Sequence, residues 1–99
     1  MEKAKILSMD EINEGLQSLP HWAFVNDKIS KEFTFNDFMD CLGFVNKLAP
    51  FCESLDHHPD IHIFYSKILF ELQHFDIGGK VTDKDLKVAH EIEKLYKER

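Results

Sequence analysis

Apolar positions along this chain switch between a helical rhythm and a strand rhythm, and each switch coincides with capping or turn residues. Ser8 with Glu11 three residues later has the form of a capping box, and Ile12, Leu16 and Leu19 follow at helical spacing until Pro20 closes the segment. Gly15 weakens that helix and keeps it short. Trp22 to Val25 reads as a short strand, Asn26-Asp27 as a turn, and the next run alternates Ile29, Lys31, Phe33 and Phe35 with Ser30, Glu32 and Thr34. The pair predicts a β-hairpin.

Asn36 is the N-cap expected for the second helix, with Asp37 and Asp40 in its first turn. Phe38, Leu42, Val45 and Ala49, with Cys41, Leu48 and Cys52 beside them, predict a broad apolar face, and Pro50 is expected to bend or end the last turn. Strand-like runs then cover Ile61 to Tyr65 and Lys67 to Phe75, with Ile68, Phe70 and Leu72 sharing one side. After Gly78-Gly79, Thr82 with Asp85 caps a last helix whose inner side is Leu86, Ala89, Ile92 and Tyr96. The predicted order is α-β-β-α-β-β-α. This is an α+β fold, with a four-stranded antiparallel sheet and helices packed on one face. The other face would carry Ser30, Glu32, Thr34, Glu71 and Gln73 and be wet or serve assembly.

Ninety-nine residues supply one domain, residues 1–99, with 43% hydrophobic residues and nine Phe for its core. A formal net charge of −6 and the lack of a Lys/Arg cluster argue against direct nucleic-acid binding. The Lys-rich end, Lys94 to Arg99, is better read as a helix C-terminus. No apolar run approaches the roughly 20 residues of a membrane span, and the N-terminus lacks the pattern of a signal peptide. Cys41 and Cys52, about 16 Å apart along one helix, cannot form a disulfide within it, which fits reduced thiols and a cytoplasmic protein.

Four of the six histidines fall between positions 57 and 74. Imidazole titrates near neutrality and suits proton transfer, and His57-His58-Pro59 lies in a connection, where scaffolds display working side chains. A zinc site from Cys52, His57, His58 and His62 is disfavoured, because Pro59 and the Ile61-His62-Ile63 strand spoil helical i, i+4 spacing and no accompanying ligand motif is present. Cys52, within an apolar helix stripe, reads as a packed thiol rather than a nucleophile. His21, His62 and His90 read as surface or structural, and Gly78-Gly79 as a tight turn rather than a phosphate loop.

Glu53-x3-His57-His58-Pro59, Tyr65, His74-x-Asp76-x-Gly78-Gly79 and Thr82-x-x-Asp85, together with Trp22 and Ile29-x3-Phe33-x-Phe35, resemble the signature of the pterin-4a-carbinolamine dehydratases. The resemblance runs from about residue 8 to residue 97. It implies conversion of 4a-hydroxytetrahydropterin to quinonoid dihydropterin and water, recycling the cofactor of aromatic amino acid hydroxylases without metal or other cofactor. It further implies His57, His58, His74 and Asp85 as catalytic residues, Asp85 orienting one imidazole. Asp56, His57, His58, His74, Phe75 and Asp76 would contact the pterin.

One departure stands out. The family's third His stands with two residues between it and the Gly-Gly pair, a position held by Phe75 here. His74, in a regular strand, would point with Leu72 toward the helices unless a β-bulge re-aimed it. Phe75 is the alternative occupant, as an aromatic wall for the pterin ring. The connection after Gly79 is also one residue longer, at Lys80-Val81-Thr82. The uncovered sheet face and the helices would support a homodimer or homotetramer. The alternative function is non-catalytic, because relatives on this scaffold act as a dimerisation cofactor for a transcription factor or as an assembly factor for the carbon-fixing carboxylase.

Overall fold

A computed structural model describes residues 4–74 and 80–99. The elements follow the predicted order: α1 (Met9–Leu16), β1 (Ala23–Val25), β2 (Lys28–Thr34), α2 (Phe38–Leu55), β3 (Asp60–Phe64), β4 (Lys67–Leu72) and α3 (Asp83–Lys97). All pairings are antiparallel, in the order β1-β2-β4-β3. Asn26 and Asp27 both hold positive φ (55° and 63°), as a two-residue hairpin turn with right-handed strand twist demands. Phe33 pairs with Ile68 and Ile63 with Ile68, so the sheet's inner face gathers Ile29, Phe33, Ile68 and Phe70, all buried.

The helices cover that face. Phe33 meets Trp22, Phe70 and Tyr96 edge-on, with ring centres 6.1, 5.8 and 4.8 Å away. Lys31 leaves the same face to reach the Glu93 carboxylate of α3 at 2.6 Å, and the Trp22 indole donates to that carboxylate at 2.9 Å. Gly15 has a packing reason beyond its weak helix propensity. A Cβ there would come within 2.6 Å of Leu86, so its absence lets α1 approach α3.

Four local expectations are corrected. Asp37, not Asn36, caps α2; it is extended, and its carboxylate accepts the Asp40 N–H at 2.8 Å. Pro50 does not end the helix, which runs on to Leu55. Buried Leu48 and Cys52 anchor both sides of the proline, and that packing outweighs a penalty of about 3 kcal/mol. The buried stripe of α2 is Cys41, Phe44, Leu48 and Cys52, rotated from the expected one, leaving Phe38 and Ala49 exposed. β4 runs from Lys67 to Leu72, Gln73 lies outside the strand, and Phe75, its expected end, lies outside the described residues.

Candidate active site

The α2 helix closes in a way that aims two histidines. Asp56 takes the left-handed conformation (φ 51°, ψ 46°), the Asp56 N–H donates to the Glu53 carbonyl, and the His57 N–H donates to the Cys52 carbonyl at 3.1 Å. That pair of bonds is a Schellman closure built on Asp rather than Gly, a residue that tolerates this region better than most. It turns the chain by a fixed angle, sending His57 inward and His58 outward.

His57 is buried, and its Nε2 bonds Oδ1 of Asp85, which is fully buried. Asp85 occupies the third position of α3, where its other oxygen accepts the Thr82 N–H at 2.8 Å and lies 3.3 Å from the Thr82 hydroxyl. One carboxylate therefore caps a helix and holds an imidazole. A buried carboxylate needs this number of partners, because burial without them costs several kcal/mol.

The His74 ring centre lies 5.2 Å from that of His57, at a tilt of 41°. No bulge is needed to bring it there: the β4 register is unbroken from Lys67 to Leu72, and His74, two residues on, keeps the parity of Leu72 toward the helices. The parity expected for His74, with Leu72 toward the helices, places it on the side that also holds His57 and Asp85. The His74 N–H donates to the Lys80 carbonyl at 2.8 Å, which ties the end of β4 to the approach of α3. Phe75, Asp76 and Gly78-Gly79 lie outside the described residues.

His58 faces solvent with its side chain 55% exposed, and its Nε2 bonds Oε2 of Glu53, one helical turn back on α2. Glu53 stands at the head of the Glu-x3-His-His-Pro motif, where no site role was expected of it; the i, i+5 spacing across a helix end is the signal that could have marked the pair. Asp56 is exposed beside them. A cleft of about 230 Å³ opens at His58 and Glu53 between α2 and β3, floored by Val45, Leu48, Cys52 and Ile61. Burial pushes the Cys52 thiol up to about 11, so it is a neutral, packed group at physiological pH. A larger cavity of about 350 Å³, bounded by Phe35, Phe44, Leu95 and Arg99, holds no histidine.

His62 lies on the opposite sheet face, bonded to Glu71 at 2.8 Å. Among the described residues, no three His, Cys, Asp or Glu side chains converge as metal ligands. No helix among them is long and apolar enough to cross a membrane.

Comparison with known proteins converges on one family. The family described as Pterin 4 alpha carbinolamine dehydratase matches residues 5–95. A protein of Metallosphaera sedula, provisionally named a pterin-4-alpha-carbinolamine dehydratase, is 43% identical over 91 residues, covering 92% of this chain and 94% of that protein. One of Prochlorococcus marinus with the same provisional name is 34% identical over 94 residues, covering 95% and 97%. The crystal structure of a transcriptional coactivator/pterin dehydratase from Brucella melitensis superposes with a TM-score of 0.85 at 31% identity, covering 92% of this chain and 98% of that one. With its fold and its sequence matching along nearly the whole length, this chain belongs to the pterin-4a-carbinolamine dehydratase family.

Proposed function

We propose that this protein dehydrates 4a-hydroxytetrahydropterin to quinonoid dihydropterin by histidine acid–base catalysis. The observation that carries the reading is the buried Asp85 carboxylate on His57, with the His74 ring 5.2 Å from His57 and His58 next in the chain. The reaction breaks the C4a–O bond and removes the N5 proton as the C4a=N5 bond forms. The departing hydroxyl takes up a proton and leaves as water. One group must give a proton and another must take one, so the reaction is proton-neutral overall and two imidazoles suffice.

His57 and His58 supply that acid and base. Asp85 fixes the ring of the first, and Glu53 fixes the ring of the second. His58 exchanges protons with solvent and lets the released water escape. The cleft beside it accepts a flat, partly apolar ring, and the family resemblance assigns further pterin contacts to Asp56, His74, Phe75 and Asp76. The protein works as a soluble homo-oligomer. The non-catalytic alternative is favoured by one observation, that the Brucella melitensis protein is described as a coactivator as well as a dehydratase. Both roles fit on one scaffold.

The deciding assay follows dehydration of 4a-hydroxytetrahydropterin, made in situ by a hydroxylase, against the non-enzymatic rate. Wild type should accelerate it, His57→Ala and His58→Ala should each lose roughly a hundred-fold or more, and His74→Ala should lose less. A folded wild type running at the background rate would refute the dehydratase reading and leave the coactivator-type role.

A further inference from the structure

The N-terminal segment before α1 is not a loose lead-in. Ile6 forms an antiparallel bridge with Thr82. The Leu7 N–H donates to the Val81 carbonyl at 3.0 Å, and the Asp83 N–H donates to the Lys5 carbonyl at 3.1 Å. The Lys5 N–H in turn donates to Oδ1 of Asp83 at 2.8 Å. The strap is fastened at its other end. Nζ of Lys5 lies 2.9 Å from Glu11, which closes the capping box of α1 by accepting the Ser8 N–H at 2.9 Å.

Residues 80–83 are thus gripped from two sides. The His74 N–H bonds Lys80, and residues 5–7 bond Val81 and Asp83, while Thr82 between them holds the Asp85 carboxylate. Three side chains of the candidate site depend on this one segment: His74 through Lys80, Asp85 through Thr82, and His57 through Asp85.

We infer that residues 5–7 form a positioning strap that sets the placement of Asp85, and through it of His57, for the dehydration proposed above. None of the strap residues touches the reacting atoms; their effect runs through backbone hydrogen bonds to residues 81–83. Misplacement of a catalytic group by about 1 Å can cost on the order of a hundred-fold in rate, so a partial loosening should cost less but remain measurable.

Three variants of the full chain test this. Asp83→Ala removes the acceptor for the Lys5 N–H, Asp83→Asn keeps an acceptor oxygen while losing the charge, and Leu7→Pro removes the donor to Val81. The readouts are kcat and KM for dehydration and the NMR resonance of the His57 Nε2 proton. Asp83→Ala and Leu7→Pro should lower kcat roughly 5- to 20-fold with KM nearly unchanged and should shift that resonance, whereas Asp83→Asn should restore both. A folded Asp83→Ala with wild-type kcat and an unmoved resonance would overturn the strap. Should Leu7→Pro fail to fold, the Asp83 pair still decides. Should wild type prove inactive, the proposed dehydration fails, and the resonance alone decides whether the strap positions His57.

Discussion

Two adjacent histidines each hold a carboxylate, yet their surroundings are opposite. The His57–Asp85 pair is sealed, with His57 5% exposed and Asp85 0%. The His58–Glu53 pair stands in water, with side chains 55% and 73% exposed. Water screens the second pair and leaves it worth about 0–1 kcal/mol. The first has no water to fall back on, so removing either partner strands a polar group at a cost of about 1–3 kcal/mol. One pair is built for fixed geometry and the other for exchange, and a single Schellman turn at Asp56 separates them.

The largest effect should come from the sealed pair. Asp85→Ala takes away the His57 partner and the α3 cap together, so a loss of about 2–4 kcal/mol is expected. For a chain of this size that lowers Tm by roughly 10–25 °C. A fall in kcat of roughly a hundred-fold should accompany it, measurable well below the new Tm. Asp85→Asn, which keeps the volume and one acceptor, should recover most of the stability and little of the rate. Wild-type Tm in Asp85→Ala would show that the burial contrast carries no energetic weight.

Glu53→Gln probes the exposed pair and should behave the other way. Its unfolding midpoint should stay within about 0.5 kcal/mol of wild type. Its kcat should fall by roughly 3- to 10-fold, less than removal of an acid or base group outright. Thermal unfolding and the dehydration assay on the same preparation measure both. A stability loss as large as that of Asp85→Ala would erase the distinction between the pairs.

The four-stranded sheet, the order of elements along the chain and both hairpins were legible in the sequence because period-two runs and turn residues act locally; the strand order within the sheet was not. So was the cap at Thr82 and Asp85, since a capping box is a four-residue signal. The buried stripe of α2 was not. Its two faces are both apolar, and only the position of the sheet decides that Cys41, Phe44, Leu48 and Cys52 turn inward. That the helix does not end at Pro50 was hidden for the same reason: a local penalty is visible in sequence, whereas the packing that overrides it is not. In the site, the motif marked Glu53, His57 and His58 but not which carboxylate each imidazole would meet. Asp85 is 28 residues from His57, and its double service as cap and partner depends on how α3 docks against the end of α2. His74 illustrates the limit from the other side: strand parity predicts that it points with Leu72 toward the helices, but parity alone does not say that His57 and Asp85 lie on that side.

A third pair on the open sheet face provides the control for this contrast. His62 bonds Glu71 at 2.8 Å, and Lys28 reaches the same carboxylate at 2.9 Å. The Lys28 hydrogen bond first, and the His62 hydrogen bond second, hold Glu71 below its ordinary value of 4.5. A carboxylate depressed in the folded state stabilises the fold above about pH 4.5 and loses that contribution as pH falls through its lowered value. Urea midpoints of wild type should therefore decline on acidification below about pH 4.5, and Glu71→Gln should decline less steeply. His62→Ala should leave kcat unchanged and shift stability by less than about 0.5 kcal/mol, the smallest effect expected. This pair has an exposed imidazole on a carboxylate, as His58–Glu53 has, although Glu71 is only 18% exposed against 73% for Glu53, and it lacks the cleft and the neighbouring sealed pair. A loss of kcat in His62→Ala matching that of Glu53→Gln would mean that pairing with a carboxylate, and not placement beside His57, is what makes a histidine of this protein work.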